Sequence, residues 1–299
     1  MKKITGILIF AFMSFLLIND DILAAGWEKS FDLSLNATQS SYSNSWVGGE
    51  AGNFTWVANG NGIFSKQLTP IFNLRNTVKL AFGETHSQDK ETKKWAKPVK
   101  STDQIDIESL GLFSIKAFIQ PYVAFRFESQ FMDASVTNHN RYINPMLLTE
   151  SAGLARQILK KDKNEILTRL GFAFKENINR SLIQDQVDTS IYTTKTITAT
   201  DGGVESVTDA KLVLSDKLGY IGKLSLFKPF FYSKKDDYKG TPEENYWKAI
   251  KVNWENSMVA SVSKYVQVVF YVQWLYEKQV SLKGRLKETL AFGLTYKLL

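Results

Sequence analysis

The chain contains no cysteine and only two histidines among its 299 residues. Without cysteine it can form no disulfide and no thiolate metal site, and it cannot carry a lipid anchor on an N-terminal cysteine. The two histidines, His86 and His139, stand far apart in the sequence. No His-Glu-x-x-His zinc motif, glycine-rich phosphate loop or clustered-carboxylate calcium loop is present. We therefore predict no metal site and no cofactor.

Long hydrophobic runs are missing after the N-terminus. Lys2 and Lys3 precede an uncharged apolar run over residues 4–18, and small residues follow at Ala24-Ala25. This order is typical of a secretory signal peptide, and the run of about 15 residues is shorter than the ~20 that span a bilayer as a helix. We predict cleavage after Ala25, with an uncleaved anchor as the alternative. The predicted division is a signal peptide over residues 1–25 and a single domain over residues 26–299.

Acidic residues are fewer than basic ones, 30 against 37, which gives a formal net charge of +7. A basic balance can indicate nucleic acid, but for an exported chain we expect lipopolysaccharide phosphates or anionic solutes as partners, and no nucleic acid. Solvated lysines on loops explain part of the excess. The mean hydropathy of −0.19 is too polar for a helical membrane protein and fits a transmembrane barrel, which averages a polar and an apolar face.

What the sequence does contain is alternation of apolar and polar residues. In residues 285–299, the side chains of Leu290, Phe292, Leu294 and Tyr296 fall on one side of an extended strand, with polar or small residues on the other. The pattern recurs along the chain. Together with the export signal, it predicts an all-β protein: a single antiparallel transmembrane β-barrel in the outer membrane of a Gram-negative bacterium. Aromatic residues on the outward phase predict an interfacial girdle: Trp56, Phe72, Phe82, Phe113, Phe125, Phe127, Phe131, Phe172, Phe174, Trp254, Phe270, Trp274, Tyr276, Phe292 and Tyr296.

About twelve strands can be assigned, with ten or fourteen as alternatives. They cover residues 27–38, 53–65, 71–83, 102–116, 122–133, 165–177, 188–200, 204–215, 218–231, 246–257, 261–277 and 285–298. The seventh and eighth are weakly patterned, and the count falls to ten if they form one excursion outside the wall. An even count places both termini in the periplasm and the long connections outside the cell. These connections include 86–101, 134–164, 233–245 and 278–284, and they hold both histidines.

The inward phase of the strands is rich in charge. It predicts these lumen-lining residues: Arg75, Lys79, Asp106, Glu108, Arg126, Glu128, Arg169, Lys175, Lys251, Glu255, Lys287 and Lys297. Asp32, Lys116, Lys211 and Lys223 share that phase. The interior of such a barrel is too large for apolar packing alone, so polar residues pair across it or line a water path. We expect Asp106, Glu108, Arg126 and Glu128 to pair, and we expect the surplus of cations to favour anions.

The connection over residues 134–164 is long and partly apolar, so it must bury somewhere. Residues 150–160 could form a short amphipathic helix. We expect the connection to fold into the barrel mouth as a constriction, and the alternative is an exposed cap or a partner-binding surface.

These features lead to a passive channel or uptake barrel for small, anionic solutes as the first functional hypothesis. A closed structural or binding barrel, serving envelope integrity or partner docking, is the alternative. Transport of lipids or other hydrophobic molecules is weaker, since no residue supports it. An outer-membrane lipid hydrolase is a small residual option, because Ser87 directly follows His86 and the two would lie on opposite faces of a strand. We predict no catalytic residues and no enzyme.

Two segments carry a family resemblance. Residues 39–49 (Gln-Ser-Ser-Tyr-Ser-Asn-Ser-Trp-Val-Gly-Gly), and Asn144-Pro145 with residues 150–153 (Glu-Ser-Ala-Gly), resemble an uncharacterised family of Gram-negative outer-membrane barrel proteins known mainly as a domain of unknown function. The resemblance implies a barrel and its location, but no substrate. Many such barrels end in Phe or Trp, which the barrel-assembly machinery reads. This chain ends in Leu299, and recognition would rely on Tyr296.

Overall fold

The computed structural model describes residues 26–42, 51–115, 117–136, 139–185 and 191–297, with Lys297 described in its backbone only. The predicted signal peptide, residues 1–25, lies outside this part of the chain. The strands are β1 (Glu28–Ser40), β2 (Asn53–Thr69), β3 (Phe72–Ser87), β4 (Val99–Phe113), β5 (Gln120–Ser129), β6 (Met132–Asp133), β7 (Arg141–Tyr142), β8 (Met146–Lys161), β9 (Asn164–Gln184), β10 (Tyr192–Ser215), β11 (Leu218–Tyr232), β12 (Lys251–Ser261), β13 (Val266–Tyr276) and β14 (Arg285–Lys297).

Twelve of these strands close into one antiparallel barrel, in the order β1-β14-β13-β12-β11-β10-β9-β8-β5-β4-β3-β2. Each strand pairs with its neighbours along the chain, and β1 closes the barrel on β14 with Asp32 opposite Lys297 and Asn36 opposite Gly293. The short strands β6 and β7 form a separate two-stranded sheet between β5 and β8. Closure gives each of the twelve strands a hydrogen-bonded neighbour on both sides, which a strand-built membrane protein requires.

The predicted count of twelve strands is confirmed, but two of the assignments behind it were wrong. Residues 146–161, predicted as part of a loop, form the wall strand β8. Its pattern was hidden because the inward positions Ser151, Gly153 and Ala155 are small, while Glu150 and Arg156 lie on the outward phase. The short helix considered for residues 150–160 is therefore wrong, because these residues belong to β8.

The second error split one strand in two. Residues 188–200 and 204–215 were assigned as separate strands joined by a turn at Asp201-Gly202-Gly203, but Tyr192–Ser215 is the continuous strand β10. The glycines mark a register shift opposite β11. A Cβ atom on Gly203 would lie 2.2 Å from the carbonyl oxygen of Lys228, so glycine is needed there for close backbone approach rather than for a turn.

The connections at the two ends of the barrel differ in length. Among the described residues, one end carries 41–42, 51–52, 88–98, 130–136, 139–145, 185, 191, 233–250 and 277–284, and the other carries 70–71, 114–115, 117–119, 162–163, 216–217 and 262–265. We call these the long-loop end and the short-turn end. One strand was missed and another was counted as two, so the number of strands is unchanged. Each predicted long loop therefore stays at the long-loop end, and β1 begins at the short-turn end. His86, predicted in a loop, lies instead within β3, and residues 178–184, which were left between the sixth and seventh predicted strands, continue β9.

The outer wall is apolar and the inner wall is polar. Phe172, Leu290 and Phe292 are 72%, 70% and 59% exposed on the outside, while Asp106, Glu108 and Arg169 are buried inside. This is the reverse of a soluble barrel and is the arrangement of a transmembrane β-barrel. Two short 3₁₀ helices, Lys235–Tyr238 and Tyr246–Lys248, lie in the connection between β11 and β12. Within the described residues, no helix has the length and hydrophobicity to cross a bilayer.

A compact knob, formed by residues 130–136 and 139–145, stands on the rim at the long-loop end. Asn144 is fully buried and its amide donates to Asp133 and to Asn179 of β9, while its side-chain oxygen accepts from the backbone N–H of Arg180. Arg141 forms an ion pair with Asp133 at 2.6 Å. Burial alone would raise the pKa of Asp133, but hydrogen bonds from Ser135 and Asn144 and the charge of Arg141 hold that pKa below its ordinary value. The knob is therefore a built element of the rim.

The corrected assignment of β8 can be tested by cysteine labelling, because the chain has no native cysteine. Leu154 points outward from β8 and is 49% exposed, so in the bilayer Leu154→Cys faces lipid. Tyr142→Cys, on the knob and 64% exposed, faces water. In vesicles or whole cells we expect a membrane-impermeant maleimide to label Tyr142→Cys rapidly and Leu154→Cys at background level. Equal labelling of both variants would contradict the assignment of residues 146–161 to the wall and would indicate an exposed loop.

Candidate functional site: the bridged lumen

The centre of the lumen is organised around one carboxylate, that of Glu108 on β4. Its Oε1 accepts a hydrogen bond from Arg169 Nη2 at 2.9 Å, and its Oε2 accepts one from Lys223 Nζ at 3.2 Å. All three residues are buried, and Arg169 is only 2% exposed. Arg169 lies on β9 and Lys223 on β11, and four strands separate β4 from β11 on the shorter way round the wall. These contacts can therefore form only across the interior.

Three further contacts cross the lumen. Arg75 on β3 donates two hydrogen bonds to Glu165 on β9, at 2.7 and 3.0 Å. Lys79 on β3 contacts Glu255 on β12 at 3.4 Å, and these strands are also nearly opposite in the barrel. Lys287 Nζ on β14 lies 3.4 Å from Thr102 Oγ1 on β4. The bridges lie at successive heights, because Arg75 is close to the short-turn end and Thr102 is close to the long-loop end.

The remaining predicted lumen residues pair along the wall rather than across it. Arg126 donates from Nε and Nη2 to the two carboxylate oxygens of Asp106, both at 2.8 Å, and contacts Glu128 at 3.0 Å. The other pairs are Lys175 with Glu205 at 2.7 Å, and Lys251 with Asp201 at 2.7 Å and Glu277 at 2.9 Å. The side chain of Lys297 lies outside what the structure describes, as does Lys116.

Five lumenal carboxylates were absent from the predicted lining: Glu165, Asp201, Glu205, Asp209 and Glu277, each within 3.1 Å of a lumenal cation. The surplus of positive charge in the lumen is therefore smaller than predicted. Asp201 was assigned to a turn, and the split of β10 obscured the phase of Glu205 and Asp209. Glu165 shares the phase of Arg169 and could have been found. Glu277 lies just beyond β13.

Sequence reasoning also missed an apolar cluster inside the barrel. Leu110, Leu112, Tyr122, Ala155 and Leu167 are buried together on the inner faces of β4, β5, β8 and β9. They fill one side of the lumen towards the short-turn end, below Arg169. The predicted lining consisted of charged residues, so these apolar residues were not included in it. Their packing excludes water from the base of the charged cluster.

Above the bridges, at the long-loop end, lies a cavity of about 350 Å³ that we call the cup. Its floor includes Arg126 and Glu128, and its walls include Lys175, Asp201, Ser225, Phe227 and Lys251. The 233–250 connection partly covers it: Tyr238 lines the cup, and Trp247 is buried and stacks on Tyr232 at 6.2 Å between ring centroids. Of residues 134–164, Leu147 on β8 lines the cup.

Neither histidine belongs to a cluster that resembles a reaction centre. The ring of His86 packs against Phe54 at 6.3 Å, and that of His139 against Tyr192 at 4.4 Å. Within the described residues, no group of three or more His, Cys, Asp or Glu side chains is placed to hold a metal ion.

The Glu108 bridge predicts a specific loss of stability. Glu108→Gln leaves the buried ammonium of Lys223 without its carboxylate partner and weakens the pairing of Arg169, so we expect a loss of about 3–5 kcal/mol in unfolding free energy. Asp237→Asn is the control, because its pair with Lys234 is long, 3.8 Å, and exposed, and should change stability by less than about 1 kcal/mol. Urea unfolding in detergent or lipid, followed by the gel mobility of the folded form, measures both. Equal stability of the two variants would contradict the bridge.

Residues 37–134 match the model of a family described as "Protein of unknown function (DUF3078)". Residues 39–49, one of the two segments that carry the resemblance, lie inside this match, and residues 144–153 lie outside it. The match and the observed barrel confirm the resemblance to an uncharacterised family of outer-membrane barrels. No curated protein matches the sequence.

Solved structures with the same type of fold include the translocator domain of the autotransporter NalP from Neisseria meningitidis, at 8% identity, 99% coverage of this chain, 95% of that chain and a TM-score of 0.39. An outer membrane channel from Pseudomonas putida F1 has 13% identity, coverage of 91% and 94%, and a TM-score of 0.39. The NanC porin has 8% identity, coverage of 90% and 100%, and a TM-score of 0.36. These TM-scores are all below 0.5, so the fold of this chain is assigned from its own strand pairing and not from these similarities.

Proposed function

We propose that this protein is an outer-membrane barrel whose lumen is held closed by ion pairs between opposite walls, and that it serves as a structural or binding barrel of the Gram-negative envelope. The apolar outer wall suits membrane lipids, with lipopolysaccharide around the long-loop end. The signal-like N-terminus and strand-built wall suit delivery by the barrel-assembly machinery. The observation that carries the proposal is the Glu108 carboxylate, which ties β4 to both β9 and β11.

Closure follows from where the charged side chains end. In an open pore, lumenal cations and carboxylates remain along the wall with water between them. Here Lys79 and Glu255 meet from nearly opposite strands, and Arg75 reaches Glu165 from the other side of the apolar cluster. Stacked at different heights, these bridges leave solute-sized space in the cup and obstruct the path below it.

A passive channel for small anionic solutes is the second candidate. The observation that favours it is the set of lumenal cations Arg75, Lys79, Arg126 and Arg169, since rings of cations favour anions. The five additional carboxylates reduce this preference, because each cation that they neutralise no longer attracts an anion. A channel would therefore need its bridges to separate.

Planar-bilayer conductance tests the proposal. We expect the wild-type protein to give no stable current steps. A double variant, Glu108→Ala with Glu255→Ala, removes the carboxylates of two bridges and should produce steps. Glu205→Ala is the matched control, since its buried carboxylate pairs with Lys175 on the neighbouring strand and spans no part of the lumen.

Stable steps from the wild-type protein would contradict closure. If those steps prefer anions, and lose that preference when Arg75, Arg126 and Arg169 are replaced by glutamine, the channel hypothesis replaces ours. A silent double variant that retains the heat-modifiable mobility of a folded barrel would show that the ion pairs are not what obstructs the lumen.

A further inference from the structure

The cup is a candidate binding site in its own right, because it is a concave space of defined size above the bridges. Its volume of about 350 Å³ falls at the lower end of the ~300–1,000 Å³ range of small-molecule sites. The strands β9, β10, β11 and β12 supply Lys175, Asp201, Ser225 and Lys251 to its walls. Because these positions belong to the rigid wall, the site is largely preformed.

The charges that line the cup are mostly neutralised by one another. Lys251 contacts Asp201 and Glu277, Arg126 contacts Glu128 and Asp106, and Lys175 contacts Glu205. Arg285, exposed at the rim, has no acidic partner among the described residues. A charged ligand bound in the cup would have to break one of these pairs, whereas an uncharged ligand would not. The charge distribution therefore favours a neutral ligand.

Two polar atoms on the wall of the cup lack partners. Asp201 is 9% exposed, and its Oδ2 accepts from Lys251 while its Oδ1 has no hydrogen-bond partner within the described part of the chain. The same holds for the Oγ of Ser225 on β11. Buried polar atoms are nearly always hydrogen-bonded, and leaving one unpaired costs about 1–3 kcal/mol. A hydroxyl group can donate to Asp201 and can both donate to and accept from Ser225.

Aromatic and amide side chains complete the lining. Phe227 is buried on the wall, Tyr232 and Tyr238 lie beneath and within the covering connection, and Asn177 and Asn253 add amide groups. Aromatic rings supply apolar faces, and amides both donate and accept hydrogen bonds. A molecule that presents C–H groups on its faces and hydroxyl groups around its edge matches this lining.

We propose that the cup binds a neutral, polyhydroxylated solute of the size of a monosaccharide or disaccharide. The hydroxyl groups pair with Asp201 Oδ1, Ser225 Oγ and the amides, and the C–H faces pack on Tyr232 and Tyr238. The proposal goes beyond closure of the lumen, because the cup lies above the bridges and can bind a solute whether or not the path below conducts.

Binding is tested by isothermal titration of the purified full-length barrel with glucose, galactose, maltose and sucrose, and with glucuronate as the anionic comparison. We expect at least one neutral sugar to bind and glucuronate to bind more weakly than glucose. Ser225→Ala, which removes a hydroxyl with no protein partner, should weaken binding several-fold. Ser225→Leu, which fills the cup, should weaken it by more than about tenfold.

Ser206→Leu is the matched control, because Ser206 lies one strand away on β10 and on the opposite, outward phase. It adds the same volume outside the lumen and should leave sugar binding unchanged. Heat-modifiable gel mobility establishes that each variant is folded. Absence of heat for all four sugars would overturn the proposal. So would tighter binding of glucuronate than glucose, or wild-type sugar affinity in both folded Ser225 variants. A misfolded Ser225→Leu leaves the decision to Ser225→Ala.

Discussion

The structure depends on the requirement that charges buried in the lumen be paired. A carboxylate or ammonium removed from water carries a desolvation cost of several kcal/mol, and only a close partner offsets it. Glu108 meets this requirement for two cations at once, and since those cations lie on β9 and β11, the pairing also fixes the distance between opposite walls. The contacts that offset the desolvation cost of the buried charges thus also set the cross-section of the barrel. Arg169 extends the arrangement to Asp209 at 3.1 Å on the neighbouring strand.

The interior is divided into levels along the barrel axis. Apolar side chains around Leu110 and Leu167 fill one side near the short turns, the Glu108 and Glu255 bridges cross the middle, and the cup opens at the long-loop end. The three levels differ in what occupies them. Apolar side chains pack at the first, ion pairs cross the second, and the third, the cup, is an unfilled cavity with two unpartnered polar atoms on its wall. The outer wall is uniform by comparison, because lipid makes the same demand on every outward position in the hydrocarbon region.

The fold could be predicted from the sequence because strand residues alternate between two surroundings, lipid outside and polar side chains inside. The prediction of individual strands failed where one of these two patterns was weak. In β8 the inward residues Ser151, Gly153 and Ala155 are too small to mark a face, and in β10 Gly202-Gly203 imitates a turn where β11 requires close backbone approach. The charged lining was predictable from phase, and so was the pairing of Asp106 with Arg126 on the neighbouring strand. The partners of Arg75, Arg169 and Lys223 were not, because pairing between strands with two to four others between them depends on the closed cross-section, which no local pattern encodes.

The central claim is that Glu108 and Lys223 are in contact across the lumen, and a double-mutant cycle tests it most directly. Unfolding free energies would be measured for the wild type, Glu108→Gln, Lys223→Met and the double variant. Since contacting charged residues couple by about 0.5–3 kcal/mol, we predict that the double variant loses at least about 1 kcal/mol less than the sum of the single losses. Additivity within about 0.5 kcal/mol would mean that the two side chains do not meet, and would contradict a bridged lumen.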